Sequence, residues 1–297
     1  MQMTKPKAER KPDDTLDVEL AGLDALDVPI APAPSRARRI WSAAWPKLAA
    51  VAIFLLLWQA VVWSGWKPTY ILPGPVAVLK ELWHEIQNGT IIEAASNTLQ
   101  RAAIGYGIAL ILGSVIGLAV ARSTVLRAAI GSMITGLQTM PTIAWFPLAI
   151  VLFGLNESAI LFVVILGAGP AIANGIINGV DHIPPVLLRA GRVLGARGLS
   201  TYRHVIIPAA LPGYVAGLKQ GWAFAWRSLL AGELLVIIAK KPSLGVRLEF
   251  TRTNNDYVGM LATMVMIFLI GVVIDSLFFA RFERAIRSRW GLIDASA

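Results

Sequence analysis

Charged side chains within a long apolar stretch are the residues of this sequence best placed to do chemistry. Between residues 213 and 239, Trp226 and Arg227 are followed by Glu233. Six residues turn an α-helix by about 600°, so Arg227 and Glu233 point to different sides of it. The arginine could attract an anion along a pathway through the protein, or it could pair with a helix end or with a carboxylate on another helix. Both roles stay open for Arg227, whereas Glu233 fits a structural role better.

Two further groups of residues could line the same pathway. In the first, Pro141 interrupts an apolar stretch beside Thr142 and Trp145, and the backbone carbonyls that a proline frees are tolerated at membrane depth only beside protein or water. Packing alone would explain this proline equally well. In the second, Asn174 and Asn178 lie on one face of a predicted helix. They could line the pathway, but a hydrogen bond to a neighbouring helix is the better fit.

No arrangement of residues indicates an enzyme or a metal site. The histidines His84, His182 and His204 are scattered, and the H-E-x-x-H, G-x-S-x-G and G-x-G-x-x-G motifs are absent. Without cysteine there is no thiol chemistry. Asp275 is a lone carboxylate, and an intramembrane hydrolase would need a nucleophile paired with a base. The sequence also has no G-x-x-x-x-G-K-[ST] segment, so it binds no ATP by that route.

The composition is that of an integral membrane protein. Of 297 residues, 56% are hydrophobic and 15% are charged, and the mean hydropathy is +0.64, far from the values of an average soluble domain. The net charge of +9 lies in the apolar part of the chain, because residues 1–39 hold as many acidic as basic side chains. A basic surplus in membrane loops reports orientation, so it does not indicate a nucleic-acid partner.

The apolar stretches predict an all-α polytopic membrane protein with six transmembrane helices. About 20 apolar residues form a helix that crosses the bilayer. The second stretch carries Gly105, Gly113 and Gly117, a small-residue face for close helix packing. Residues 75–87 predict an amphipathic helix that lies on the membrane rather than crossing it. The predicted spans are residues 48–63, 102–121, 128–155 with breaks at Pro141 and Pro147, 159–180, 213–239 and 257–280.

Basic residues between the spans place both termini in the cytoplasm. Basic blocks precede the first span, join the second to the third, fill the central loop and follow the sixth. The connection between the fifth and sixth spans is an exception, with Lys240, Lys241, Arg247 and Arg252 on the predicted outer side. Residues 1–40 predict a disordered cytoplasmic tail without a signal peptide, residues 41–291 the membrane domain and residues 292–297 a C-terminal tail.

The central loop, residues 182–207, carries arginines that cannot lie in lipid. Each would cost roughly 2.5 to 3.5 kcal/mol at the bilayer centre, so we expect a cytoplasmic loop. Small side chains give its helix a bare face for a partner protein, and Gly198 permits the sharp turn that ends this helix. Pro208, after Ile207, suits the first turn of the next helix. The arginines are Arg189, Arg192, Arg197 and Arg203, and the small residues include Ala190, Gly191, Gly195 and Gly198.

The order of these residues resembles the EAA loop of permease subunits of ABC importers. The matching positions are Arg189 to Gly191, Gly195, and Val205 to Pro208. Arg189 departs from the family pattern, because it replaces the glutamate that would meet the ATPase. The resemblance covers about residues 46–291 and is closest to the nitrate, taurine, alkanesulfonate and bicarbonate importers. It also rests on LPGPVAVLKELW from Leu72, NTLQRAAIGYGIALILGSVIGLAVARS from Asn97, LQTMPTIAWFPLAIVLFGLNES from Leu137, AWRSLLAGELL from Ala225 and RFERAIRSRWG from Arg281.

This resemblance implies the type I ABC importer permease fold and the import of a small anion such as a sulfonate, taurine or nitrate. It implies alternating access driven by a separate ATPase dimer, which holds ATP and Mg, while this chain binds no cofactor. It also implies a homodimer in a bacterial inner membrane and a periplasmic or lipid-anchored substrate-binding protein. The ATPase would contact Arg189, Ala190, Gly191, Gly195, Gly198, Ile207 and Pro208.

Two other functional classes are compatible with a polytopic membrane protein. A self-sufficient channel or secondary transporter would work without ATP and would typically contain inverted repeats; no internal repeat is visible in the sequence. An intramembrane enzyme would be active as an isolated subunit. Co-purification with an ATPase would separate the importer from both.

Overall fold

The fold is described from a computed structural model, which covers residues 36–238 and 241–289. Every regular element within these ranges is a helix. Residues 36–40 already belong to the first helix, so the prediction that the N-terminal tail extends to residue 40 is wrong for those positions. The rest of that predicted tail and the predicted tail at 292–297 lie outside the described residues.

The elements follow one another with short connections. A 3-10 turn, Thr142–Trp145, precedes the helix that begins at Phe146. A one-turn helix, Leu199–Thr201, and a π-helical segment, Tyr202–Ile206, precede the helix that begins at Ile207. A second π-helical segment, Asp275–Phe279, joins the last two helices. The helices are α1 (Arg36–Trp63), α2 (Pro75–Gln87), α3 (Thr90–Arg122), α4 (Thr124–Thr139), α5 (Phe146–Phe153), α6 (Glu157–Asp181), α7 (Pro185–Val193), α8 (Ile207–Leu235), α9 (Leu244–Thr253), α10 (Tyr257–Ile274) and α11 (Ala280–Arg289).

Contacts divide the chain into two compact units, one up to Leu57 and one from Trp58 onwards. In the first unit, α1 exposes apolar side chains such as Leu48, Leu56 and Leu57. No residue of α1 whose exposure is described is buried, and such an apolar helix is suited to a lipid environment. The second unit contains all the helices from α2 to α11.

The crossing of α6 and α8 forms the core of the second unit. These helices approach so closely that their glycines touch the opposite backbone: a Cβ on Gly175 would lie 2.5 Å from Gly217 Cα, and one on Gly179 would lie 2.5 Å from Ala210 O. Lipid provides no hydrophobic drive between helices, so close van der Waals packing of small residues must hold them together. Any larger side chain at this crossing would force α6 and α8 apart.

The other face of α6 packs against α3. A Cβ on Gly113 would lie 2.6 Å from Gly169 O, and one on Gly117 would lie 2.8 Å from Ala173 O. Gly105 faces Val164 in the same way, at 2.8 Å from its Cγ1. The predicted small-residue face of the second span is therefore confirmed. Together α3 and α8 enclose α6, which is the most buried candidate span.

By length and composition alone, four helical stretches among the described residues could cross a membrane: 44–63, 90–122, 157–181 and 257–286. The pair α4 and α5 would add a fifth span if the two were taken as one, although they meet at an angle of 105°. The remaining predicted span, α8, is long enough but is less apolar, because it contains Lys219, Gln220, Arg227 and Glu233. The rest of the protein shields most of the surface of α8 from lipid, so this helix needs fewer apolar residues than a span that faces lipid.

The predicted amphipathic helix at 75–87 is confirmed as α2. Its inner side is buried at Val78 and Leu82, and it packs against α10. Leu79 and Trp83 on its outer side stay exposed. The apolar face thus serves two purposes, covering α10 and leaving an apolar strip on the surface.

Candidate functional site

The central loop folds as a short helix, a sharp stop and a re-entry. Helix α7 ends in a Schellman motif: Ala196 N donates to Gly191 O at 2.9 Å and Gly195 N donates to Arg192 O at 3.1 Å. Gly195 has a φ of +85°, which suits glycine at this position. The prediction that Gly198 ends the helix is therefore wrong: Gly195 ends it, and Gly198, with a φ of +55°, starts the next turn.

The sequence suggested that the small residues of the loop form one bare outer face, but in the structure they do not. Gly191 is buried, and a Cβ there would lie 2.7 Å from Val205 Cγ2, so its small size permits packing within the loop. The exposed apolar side chains beside it are instead Val193, Leu194 and Leu199, each more than 80% exposed. Arg189 and Ala190 lie on the exposed side of α7, while Ile207 and Pro208 open α8.

A stripe of exposed residues runs along the otherwise well-packed helix α8. Its members are Ala216, Gln220, Ala223 and Arg227, spaced at the intervals of one helix face. Arg227 Nε donates to Ala223 O at 3.0 Å, and its guanidinium lies 5.0 Å from the ring centre of Phe224. Among the described residues it forms no ion pair. We call this set the α8 stripe.

Trp226 and Glu233, the other candidates on α8, do not belong to this stripe. Trp226 is buried in the core and stacks on Trp222 with 6.1 Å between ring centres. Glu233 is fully buried and forms three polar contacts. Of the three pathway candidates on α8, only Arg227 therefore lies on the exposed stripe, whereas Trp226 and Glu233 are buried.

Glu233 is the centre of a buried polar network that joins three helices. Its Oε1 accepts from Arg101 Nη1 at 2.9 Å, and its Oε2 accepts from Thr98 Oγ1 at 2.9 Å and from Gly245 N at 3.1 Å. Thr98 Oγ1 in turn accepts from Leu244 N at 3.0 Å. The network ties α3 and α8 to the first residues of α9. This favours the structural role for Glu233, because every oxygen of its carboxylate has a donor.

The sequence prediction missed Arg101 and Thr98. We expected the second span to begin at residue 102, whereas α3 begins at Thr90 and both residues lie within it. The one signal was the presence of opposite charges in two long helices, since a buried charge must find a partner.

The broken third span packs against α6 and α8. Thr142 and Trp145 are half-buried in the 3-10 turn between α4 and α5. A Cβ on Gly167 of α6 would lie 2.9 Å from Thr142 Cγ2 and 2.7 Å from Ser228 Oγ. The turn therefore sits next to Ser228, the neighbour of Arg227, and packing contributes to the break at Pro141.

Asn174 and Asn178 have different surroundings although they share a helix. Asn174 Nδ2 donates to Gln138 Oε1 on α4 at 3.1 Å, which is the predicted bond to a neighbouring helix. Asn178 is exposed.

The basic connection between the fifth and sixth spans is neutralised locally. Lys241 Nζ lies 2.8 Å from Glu157 Oε1, Arg247 pairs with the buried Glu85, and Arg252 Nη2 lies 2.6 Å from Glu249 Oε1. Burial lowers the pKa of the Arg247 guanidinium, and the charges of Asp256 and Glu81 partly offset this effect. Three of the four basic residues of this connection are therefore paired with carboxylates, and the fourth, Lys240, lies outside the described residues.

Asp275 is not the lone carboxylate that the sequence suggested. Its Oδ1 lies 3.1 Å from Lys219 Nζ on α8, and both side chains are partly exposed. The prediction failed because the partner precedes Asp275 by more than fifty positions and lies on another helix. Among the described residues, no group of three or more histidine, aspartate or glutamate side chains could hold a metal ion.

Residues 109–288 match the family described as the binding-protein-dependent transport system inner membrane component. The chain belongs to this family. The matched range runs from the middle of α3 into α11, and therefore includes the central loop, the α8 stripe and the crossing of α6 with α8. It begins after Arg101.

Three relatives of this transport family have the following similarities. A probable ABC transporter permease protein of Brucella melitensis is 30% identical over 227 residues, 75% of this chain and 91% of the relative. The taurine transport system permease protein TauC of Escherichia coli is 26% identical over 232 residues, 75% of this chain and 83% of the relative. The nitrate import permease protein NrtB of Synechococcus elongatus is 30% identical over 201 residues, 64% of this chain and 71% of the relative.

Solved structures of ABC transporters share the fold. The crystal structure of an amino acid ABC transporter with histidines aligns with a TM-score of 0.57 at 18% identity, covering 69% of this chain and 98% of that chain. The prediction of an all-α type I ABC importer permease fold is confirmed.

Proposed function

We propose that this chain is the membrane-spanning subunit of an ATP-driven importer and forms the pathway for a small anion such as taurine, another sulfonate or nitrate. Membership of the transport family supports the role of a permease. The named relatives that import taurine and nitrate support an oxyanion as cargo. The observation on this chain that supports an anion as the cargo is the position of Arg227 on the α8 stripe.

The α8 stripe is unsuited to lipid. An arginine facing the centre of the bilayer would cost roughly 2.5 to 3.5 kcal/mol on insertion scales. Gln220 is exposed on the same face of the helix, and Ala216 and Ala223 leave room beside it. A helix that buries its other sides against α6 and exposes this one is best explained by a stripe that faces a water-filled pathway.

The chemistry of Arg227 fits an oxyanion. A guanidinium presents several N–H groups in one plane, and these match two oxygens of a sulfonate, nitrate or carboxylate. Its Nε is committed to Ala223 O at 3.0 Å, so the two terminal nitrogens are the groups that would meet the cargo. Because no described carboxylate neutralises Arg227, its charge is available to an anion.

The ATPase would be a separate subunit that docks on the central loop. The sequence has no P-loop motif, so ATP and Mg would be held by the partner and this chain would bind no cofactor. Val193, Leu194 and Leu199 form an exposed apolar patch that a partner could cover. Arg189 beside them brings a positive charge where the family has a glutamate, so we infer a contact by shape or with a partner acid.

The assembly would contain two copies of this chain, two ATPase subunits and an external substrate-binding protein. Both termini would lie in the cytoplasm of the bacterial inner membrane, with the central loop on the same side. The basic blocks before the first span, between the second and third spans, in the central loop and after the sixth span support this orientation.

The test is ATP-dependent uptake by proteoliposomes containing the complete complex and its binding protein. Wild type is compared with Arg227→Gln for taurine, an alkanesulfonate, nitrate and a neutral solute. The matched control is Arg284→Gln, which removes an equal charge from exposed α11. We expect Arg227→Gln to lower anion uptake at least tenfold while the ATPase activity without substrate persists.

A parallel loss of uptake and ATPase activity in Arg227→Gln would show that Arg227 is structural. Uptake without ATP would indicate instead a self-sufficient transporter or channel.

A further inference from the structure

A cavity of about 430 Å³ lies between α3, α6, α8 and the π-helical segment that leads into α8. We call it the loop-side cavity, because Tyr202 and Ile206 of the central loop form part of its wall. It is separate from the α8 stripe, since the two sets share no residue. The proposed transport pathway does not use it, and the predicted ATPase contact shares only Ile207 with its wall.

The walls of the loop-side cavity are suited to hydrocarbon. Leu118, Ile176, Val180 and Leu211 contribute apolar surface from three helices. The inner hydroxyls satisfy each other, because Ser114 Oγ and Tyr214 OH are hydrogen-bonded at 2.8 Å. A polar ligand would therefore find few hydrogen-bonding groups inside the cavity. An alkyl chain has no hydrogen bonds to water that it would lose on entering it.

One cation stands at the rim of this cavity. Arg122, the last residue of α3, is exposed and lies 5.3 Å from the ring centre of Tyr202. Arg127, the next arginine along the chain, is paired with Asp181 at 2.6 Å. Arg122, in contrast, has no carboxylate partner among the residues that the structure describes. An apolar cavity with an arginine at its mouth that no described carboxylate neutralises is suited to an amphiphile with a negatively charged headgroup.

The depth of the cavity rim in the membrane indicates which kind of amphiphile would bind there. Arg122 ends a candidate membrane span, and arginine and tyrosine at the end of a span mark the depth of the lipid headgroups. Leu118 and Ile207 at the opening are 55% and 58% exposed, so the mouth is apolar towards the membrane. Basic pockets between membrane helices on the cytoplasmic side bind anionic lipid headgroups by the same combination of charge and depth.

We propose that the loop-side cavity binds an anionic membrane phospholipid, with one acyl chain between α3, α6 and α8 and the phosphate on Arg122. The lipid would contact the end of α3 and the π-helical segment together. It would thereby hold the re-entry of the central loop against the membrane helices. The proposal does not depend on which solute is transported.

The test measures lipid retention by the complete complex of this chain with its ATPase. The purified complex is incubated with phosphatidylglycerol or with phosphatidylcholine of the same acyl chains, and bound lipid is counted by native mass spectrometry. We expect phosphatidylglycerol to bind in preference to phosphatidylcholine. Arg122→Gln should weaken it about fivefold, the effect of ~1 kcal/mol for one arginine near a lipid surface.

Two further variants separate the acyl chain from the headgroup. Ala121→Phe would fill the cavity from its wall and should abolish retention, whereas Val115→Phe, on an exposed part of α3 outside the cavity, should not. Arg284→Gln serves as the charge control. Equal retention of the two lipids by the wild-type complex, or unchanged retention in Arg122→Gln and Ala121→Phe, would each overturn the proposal.

Discussion

Arg101 Nη1 donates to Glu233 Oε1 over 2.9 Å, although the two residues are 132 positions apart in the chain. Both side chains are almost fully buried, at 6% and 0% exposed. This pair joins α3 to α8, and the remaining oxygen of Glu233 binds the start of α9 through Gly245 N. Glu233 thus anchors the connection after α8 to the membrane helices together with Thr98, which accepts from Leu244 N, and Glu157, which pairs with Lys241.

Glu233→Gln should destabilise the protein strongly. Removing one member of a buried ion pair typically costs roughly 3 to 5 kcal/mol, and Arg101 would keep only its longer contact with Glu157 Oε1, at 3.4 Å. The measurement is the midpoint of thermal unfolding of the complex in nanodiscs. Glu249→Gln is the control, since it breaks an exposed pair with Arg252 and should change the midpoint little.

The double variant Arg101→Met with Glu233→Leu makes this prediction more specific. Replacing both charges by apolar side chains removes the desolvation cost along with the attraction. The double variant should therefore unfold at a higher temperature than the variant Glu233→Gln. If both Glu233→Gln and the double variant unfold at the temperature of wild type, the pair contributes nothing to stability.

Gly195→Val should prevent the ATPase from binding while the chain still inserts into the membrane. At a φ of +85° a β-branched residue is strained, and the turn that ends α7 would have to open. Gly195→Asn should bind better than Gly195→Val, because asparagine tolerates a left-handed backbone. The measurement is co-purification of the ATPase with each variant, and normal co-purification of Gly195→Val would contradict the assignment of the loop.

The elements of this fold could be predicted from the sequence because they depend on local pattern. Long apolar stretches predicted α3 and α6, glycine spacing predicted that α3 packs closely against another helix, and the amphipathic pattern of residues 75–87 predicted α2. The glycines of the central loop show the limit of such patterns. Composition indicates that a turn is present, but only the backbone shows that Gly195, and not Gly198, ends α7.

The ion pairs could not be predicted, because their members are distant in sequence. Glu157, the partner of Lys241, and Glu85, the partner of Arg247, belong to helices that precede the fifth span. No periodicity within one helix reports a partner on another. The sequence therefore did not reveal the partners of Lys241 and Arg247, and Arg101 was overlooked for the same reason.

Gly217→Ala should destabilise the protein much more than Gly107→Ala. A methyl group on Gly217 would lie 2.5 Å from Gly175 Cα, and the α6 backbone cannot move away without separating from α8. Gly107 lies on α3 with nothing within 4 Å of its added Cβ, so alanine there should be neutral or slightly stabilising. Thermal unfolding of both variants is the measurement. Equal midpoints would mean that the crossing can relax by a few tenths of an ångström.

Asp275→Asn should raise the affinity of the pathway for its anion. Lys219 lies next to Gln220 of the α8 stripe, and Asp275 at 3.1 Å neutralises it. Since exposed ion pairs contribute up to ~1 kcal/mol, releasing Lys219 should lower the KM for an anion by about threefold. The double variant Lys219→Gln with Asp275→Asn restores the charge balance and should return the KM to that of wild type. Uptake of a neutral solute is the control in proteoliposomes, and an equal change in its KM would mean that the pair acts on helix packing instead.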